Sequence, residues 1–352
     1  MDLKKKLTKI FLLLDQPHIY HMTYLFTKPT EVVIEITNKC NLNCHNCFNK
    51  ASFAKHNRNQ KEMSTSYIKK IVDQIVKSNI KKVRFSGGEP FLRKDLPELI
   101  NYAYNNNLTV WLNSNATSIS QETIKKIENK VEDILISING YNETSEKEWT
   151  SSNTFNQKLK TIKQLKKSKI PYLRAGTVAT KSNIKNLEKI YKIIKQTKLN
   201  SWEIYRPITI KKSRENLNLK LLLQKLQKLS TDFGKIIPIA NAIPLSAENP
   251  LIMNKFCVGS KFDDGHSRIV IDPTGYTKPS YFINENIGDP LNPIECWNHE
   301  FMKKMRNLKF LPRECEGCTY IQKCKGGSRY IANLINNNYS SKDPLMNIKN
   351  LI

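Results

Sequence analysis

The sequence predicts an α/β fold, a partial (β/α)6 barrel of the TIM type followed by a smaller C-terminal extension. Three observations predict it. Six short β-branched runs recur between residues 31 and 206, amphipathic stretches of helical period fill the gaps, and past residue 240 the texture turns to prolines, turns and cysteines. Strand–helix units repeated in series give a parallel sheet with right-handed crossovers. With 352 residues, 39% of them hydrophobic, the chain has enough apolar material for one large domain or two of medium size. The expected divisions are an N-terminal stretch over 1–30, the barrel over 31–240 and the extension over 241–352.

The first strand is read in the run EVVIEI over 31–36. A helix over about 64–79 leads to the second strand at 81–86, and a helix over about 94–106 to the third at 108–113. Helices near 120–130, 154–168 and 184–197 alternate with strands at 133–138, 172–179 and 201–206. Pro238, Pro244 and Pro250 mark the change of texture. Beyond them, residues 269–277 have the shape of a hairpin with Asp272-Pro273-Thr274-Gly275 as its turn.

Lys and Arg number 57 against 31 acids, a formal charge of +26. Such a surface favours anionic partners: an acidic peptide, a nucleic acid or an acidic small molecule. The lysines are scattered along solvated helical stretches, and Arg-rich clusters with interleaved aromatics are missing, which weighs against nucleic acid. A charged share of 25% excludes disorder throughout. No segment reaches the roughly 18–20 apolar residues of a membrane span. Residues 4–15 imitate a signal peptide, but the apolar run is short and ends at Asp15 with no small-residue cleavage site. They suit an amphipathic helix that caps the fold or lies on a surface. The expected location is the cytoplasm, where thiols stay reduced and cysteine spacing points to metal.

The eight cysteines fall mainly into two groups: Cys40, Cys44 and Cys47 near the start, then Cys315, Cys318 and Cys324 near the end, with Cys257 and Cys296 between. The first three sit on a loop leaving the first strand. Three thiolates there can converge on three irons of a cubane cluster, yet are one ligand short of a closed four-cysteine site, leaving one iron open. A zinc site completed by His45 or His56 is the alternative, although zinc sites usually pair CxxC units. The second strand runs straight into Gly87-Gly88-Glu89-Pro90. Glycines let a backbone approach a ligand closely, and a glutamate supplies a carboxylate for an ammonium group.

CxxxCxxC after one strand and GGEP after the next resembles the radical S-adenosylmethionine (radical SAM) superfamily. The resemblance implies a [4Fe–4S] cluster on Cys40, Cys44 and Cys47, bound with S-adenosylmethionine, whose amino group Gly87, Gly88, Glu89 and Pro90 would contact. It further implies SAM contacts from Asn115, within the segment 113–116, and from Ser137 and Asn139, where Asn139 stands in place of the family's Asp. Thr180 and Asn183 match a fifth-strand segment, or are helix caps.

The C-terminal third resembles the SPASM extension of peptide-modifying and some tetrapyrrole enzymes, in degenerate form. Ser280, Ser328 and Met346 occupy positions where that extension has cysteines, and neither hydroxyl nor thioether replaces a thiolate on iron well. One auxiliary [4Fe–4S] cluster on Cys315, Cys318 and Cys324 is implied, with Cys257 or Cys296 as fourth ligand or with an open iron; a structural zinc is the alternative. Cys296, beside Trp297, also reads as a buried apolar side chain.

The resemblance implies reductive cleavage of S-adenosylmethionine and hydrogen abstraction from a substrate C–H, with a peptide or protein side chain or Cα as the favoured target and a flavodoxin or ferredoxin as reductant. A small anionic metabolite such as a tetrapyrrole is the second reading. A non-catalytic iron–sulfur or zinc protein is the third, and GGEP with six strands speaks against it. Only 39 residues precede Cys40, fewer than the roughly eighty of a leader-binding domain, so recognition would fall to a separate protein or to the extension. No acid or base stands out by spacing.

Overall fold

Residues Glu31–Glu35 form β1, and all five are buried, as suits a strand flanked on both sides. The computed structural model describes residues 27–47, 61–208, 217–260 and 265–350; the amphipathic stretch over 4–15 and His56 lie outside them. Five parallel strands follow: β2 (Lys82–Ser86), β3 (Thr109–Ser114), β4 (Asp133–Ser137), β5 (Tyr172–Val178) and β6 (Ser201–Tyr205). Each pairs with its predecessor. The six expected strands are therefore present, each within a residue or two of its reading.

The crossover helices form for local reasons. In α1 (Thr65–Lys77), Ser64 caps the N-terminus by accepting from the Tyr67 N–H, while Ile68, Ile71, Val72 and Ile75 face the sheet. α2 (Leu96–Asn105), α3 (Gln121–Ile127), α4 (Glu143–Thr150), α5 (Phe155–Leu165), α6 (Lys181–Ile184) and α7 (Leu187–Thr197) complete the series. Thr180 and Asn183 form a reciprocal capping box at α6, so the cap reading of this pair holds. Among the described residues, no helix is long and apolar enough to cross a membrane.

The hairpin joins the barrel. β7 (Arg268–Ile271) lies parallel to β1, and β8 (Thr277–Lys278) returns antiparallel to it, giving the strand order β6-β5-β4-β3-β2-β1-β7-β8. The expected turn is present: Asp272 Oδ1 accepts from the N–H groups of Thr274 and Tyr276 at 2.9 and 3.0 Å. The sheet stays open between β6 and β8, and the hairpin covers a β1 edge that would otherwise present unpaired backbone groups.

The two faces of the sheet differ. Val32, Ile34, Val83, Phe85, Val110 and Leu112 point to the helices and form the core. Their strand neighbours, including Glu31, Arg84, Trp111, Asp133 and Arg174, line the inner face. The buried charges there are paired: Glu31 with Arg84 at 3.0 Å and Arg268 at 2.6 Å, Arg174 with Asp133 at 2.7 Å and Glu203 at 2.5 Å.

Candidate SAM and cluster site

Past Glu35 the chain leaves β1, and its backbone is held from two sides before it reaches the cysteines. Arg93 donates to Ile36 O at 2.7 Å, and Glu62 accepts from the Asn38 N–H at 2.7 Å. The Gly87–Pro90 loop lies directly on the cysteine loop: Gly88 N–H donates to Thr37 O and Glu89 N–H to Lys39 O, both at 2.8 Å. A Cβ on Gly88 would sit 2.2 Å from Lys39 O. The glycine thus serves a loop-to-loop contact, which the sequence reading assigned to a ligand.

On its far side the cysteine loop docks on the end of α4. Asn43 and His45 N–H groups donate to the carbonyls of Thr150 and Trp149, each at 3.1 Å. α4 itself is fastened by a buried ion pair between Glu146 and Lys158 on α5, and Glu146 also accepts from the Gly140 N–H at 2.8 Å.

Glu89 has no exposed surface. Its carboxylate accepts from Ser114 Oγ at 2.9 Å and from the N–H groups of Asn115 at 2.7 Å and Phe91 at 3.2 Å. Burial outweighs these donors and pushes its pKa from 4.5 up to about 7. The sequence reading offered this carboxylate to an ammonium group; in the structure it is bonded to the ends of β2 and β3. Pro90 is buried at the start of a short turn over Pro90–Leu92.

Asn115 reaches the cysteines, its amide lying 3.0 Å from Asn41 Oδ1 and 3.9 Å from Cys40 Sγ. Ser137 ends β4 exposed on the inner face. Asn139 is buried and accepts from the Val178 N–H at 2.8 Å, tying β4 to β5.

Cys40 is exposed, and Cys44 and Cys47 are half-buried. Burial raises the Cys44 thiol to about 12, with the neighbouring Cys47 and Cys40 adding to the shift; burial likewise raises Cys40. Thiols whose ionisation is opposed by burial and by neighbouring sulfurs, as at Cys40 and Cys44, suit a polycationic iron centre, which reverses the penalty. Among the described residues, no three Cys, His, Asp or Glu side chains are gathered tightly enough to hold a single metal ion.

The C-terminal thiols also share a neighbourhood. Cys315 feels Cys324 and Cys318, and Cys257 feels Cys324; burial lifts both Cys315 and Cys257 to about 12. Cys324 Sγ accepts from the Leu245 N–H at 3.3 Å and from the N–H groups of Gly326 and Gly327. Cys296 stands apart, its thiol donating to Asp289 O at 3.1 Å. The positions that lack cysteine serve as caps and turns: Ser328 accepts from Ile331 N–H, Ser280 from Phe282 and Ile283 N–H, and Met346 N–H donates to Asp343 O.

Sequence reasoning missed the polar lining of the inner face. The signal was available: Glu31 with Glu35 and Lys82 with Arg84 alternate with apolar residues, where strands of a fully covered parallel sheet read as continuously apolar.

An open parallel barrel with a three-cysteine loop off β1, braced by Gly87–Pro90 off β2, defines a radical SAM protein. The family model described as the radical SAM superfamily matches residues 34–194, and that stretch is a radical SAM domain. It is similar to the Fe-coproporphyrin III synthase of Methanosarcina barkeri, 24% identical over 90% of this chain and 87% of that one. It also resembles the mycofactocin maturase MftC of Mycolicibacterium smegmatis, 26% identical over 44% of this chain and 38% of that one. In fold it matches Streptococcus suis SuiB, solved with S-adenosylmethionine (TM-score 0.72, 15% identity, 91% and 77% of the two chains). SuiB bound to precursor peptide SuiA gives a TM-score of 0.71 at 18% identity, with 91% and 76% covered.

Proposed function

We propose that the protein cleaves S-adenosylmethionine at a [4Fe–4S] cluster on Cys40, Cys44 and Cys47 and modifies a peptide or protein at a side chain or Cα. The observation that carries this reading is the convergence of the cysteine loop, the Gly87–Pro90 loop and Asn115 at one set of strand ends. When bound, the cluster and S-adenosylmethionine together supply a 5′-deoxyadenosyl radical able to take hydrogen from an unactivated C–H. The chain's part is to hold the three thiols beside one another and to present backbone and amide groups to the nucleotide. Asn115 and the carbonyls of the Gly87–Pro90 loop are the groups for the amino acid end, since Glu89 is bound within the loop. Ser137 suits a sugar hydroxyl. Asn139 holds the adjoining strand end.

Cys257, Cys315, Cys318 and Cys324 would hold one auxiliary [4Fe–4S] cluster, with Cys257 rather than Cys296 as fourth ligand. Supporting this are the influence of Cys324 on the buried Cys257 and Cys315 thiols and the backbone N–H groups aimed at Cys324. A formal charge of +26 suits an acidic reductant such as flavodoxin or ferredoxin and an acidic peptide. The likeness to MftC and to the peptide-bound SuiB fold supports a peptide. The similarity to an Fe-coproporphyrin III synthase over nine-tenths of the chain supports the second reading, a tetrapyrrole whose carboxylates meet the same lysines.

Anaerobic reconstitution with iron and sulfide tests the proposal. The expected product from S-adenosylmethionine and dithionite is 5′-deoxyadenosine, and Cys44→Ala should abolish it while the barrel stays folded. Iron should stand at about eight per chain and fall to about four in Cys318→Ala; unchanged iron would rule out the C-terminal ligand set. Stimulation by Fe-coproporphyrin III, and not by a synthetic peptide from a short reading frame beside the gene, would select the second substrate class.

A further inference from the structure

The inner face of the barrel carries its charge unevenly. On one side Arg84 on β2 and Arg268 on β7 share a single carboxylate, Glu31, at 3.0 and 2.6 Å. Lys82, two residues before Arg84, belongs to the same face. Among the described residues it has no ion pair, and its Nζ lies 3.6 Å from the centroid of the Trp111 ring. On the other side Arg174 has two carboxylates, Asp133 and Glu203. The Trp111 indole divides the halves, with the Arg84 guanidinium 4.6 Å and the Arg174 guanidinium 5.2 Å from its centroid. Four cations thus stand against three carboxylates, and the excess falls at Lys82 and Arg84.

Hydrogen-bond donors are left over in the same place. Arg84 spends its terminal nitrogens on Glu31 at 3.0 Å and on Asn113 Oδ1 at 3.1 Å. Its Nε, like Trp111 Nε1, is buried and has no acceptor among the described residues. Buried N–H groups without acceptors are costly. Burial also holds the Lys82 ammonium below the ordinary lysine pKa, as for any cation taken from water without a carboxylate in contact. Lys82 and Trp111 are only half-buried, so the group is open to an incoming ligand.

We propose that Lys82, Arg84 and Trp111 form a carboxylate-binding subsite inside the barrel. A carboxylate brings one negative charge, which is what the four cations lack, and two oxygens able to accept from the ammonium and from the spare N–H groups. A phosphate dianion would overshoot that charge. Trp111 stands four residues before Asn115, which touches Cys40, so at about 3.3 Å per residue the subsite lies about 13 Å below the SAM site. The ligand that fits is a substrate whose carboxylate stands about that far from the carbon that loses hydrogen. That the carboxylate is the substrate's rests on the function proposed above; the anion site itself does not. Two sources have this chemistry: the carboxylates at the rim of a tetrapyrrole, and an acidic side chain of a peptide threaded into the barrel.

Binding to the reconstituted protein, with no reductant present, tests this with two probes. One is Fe-coproporphyrin III, followed by its Soret band; the other is a fluorescein-labelled hexaglutamate peptide, followed by anisotropy. Lys82→Met should weaken binding of one probe by about tenfold or more, and that probe names the source of the carboxylate. Trp111→Phe, which keeps a ring and removes the N–H, should weaken the same probe by about threefold. Lys160→Met removes an exposed lysine on α5 and should bind both probes as the wild type does, which controls for overall charge. Unchanged affinity in Lys82→Met, an equal loss in Lys160→Met, or no binding of either probe at about 1 mM overturns the proposal. A wild type that binds a probe through Lys82 yet makes no 5′-deoxyadenosine would remove the proposed function and leave the anion site standing.

Discussion

Glu89 is a carboxylate with no access to water, and ionising it is costly even with three donors around it. Burial lifts its pKa from 4.5 to about 7. The folded chain therefore holds this proton more tightly than the unfolded chain does, and between those two values stability falls as pH rises. Glu89→Gln carries no such charge, but turns an amide NH2 or a lost acceptor toward the Asn115 N–H. It should be the less stable protein near about pH 4.5, and the gap should narrow by about 2–3 kcal/mol by about pH 7.5. Melting curves across this range check it, and parallel curves for the two proteins would contradict it. The sequence shows that position 89 carries a carboxylate in a turn. It does not show that the turn folds inward, because that depends on the Ser114 and Asn115 donors at the end of the next strand.

α4 illustrates how an element without a hydrophobic stripe holds a functional loop. In ETSEKEWT the one large apolar side chain, Trp149, is buried, and so are Glu146 and Thr150. Apolar periodicity accordingly finds no helix over 143–150, and the legible signal was the cap, Asn142 with Ser145. What anchors α4 is the Glu146–Lys158 pair, with exposures of 0% and 1%. Lys158→Met leaves the Glu146 charge buried with the Gly140 N–H as its remaining donor, a loss of about 3–5 kcal/mol. Because the Trp149 and Thr150 carbonyls hold the cysteine loop, the same change should lower iron bound at Cys40, Cys44 and Cys47. Adding Glu146→Leu should recover most of the stability; urea unfolding and iron analysis measure both effects.

Across the whole molecule, barrel and extension are bolted together by buried charge. Arg206, just past β6, pairs with Asp343 at 2.8 Å, both side chains fully buried, and Asp343 also accepts from the Ser328 N–H at 2.8 Å. Asp343→Ala leaves the buried Arg206 guanidinium without its carboxylate and should cost about 3–5 kcal/mol, with iron at the C-terminal thiols lost first; unchanged iron and an unchanged urea midpoint would refute the coupling. The six parallel strands were legible because each is a local β-branched run. The place of β7 beside β1 was not, since alternation within a strand carries no address for its partner. Thr30 and Ser267, at the mouth of that pairing, are 237 residues apart. On the ribosome, at roughly 5–20 residues per second, β1 therefore waits on the order of ten to fifty seconds with one edge bare. The cysteine loop emerges early, yet the strand that carries it gains its second neighbour only after the long stretch between Thr30 and Ser267 has been made. Iron delivered to a nascent chain would meet a half-built wall, which makes loading after release the natural order of maturation.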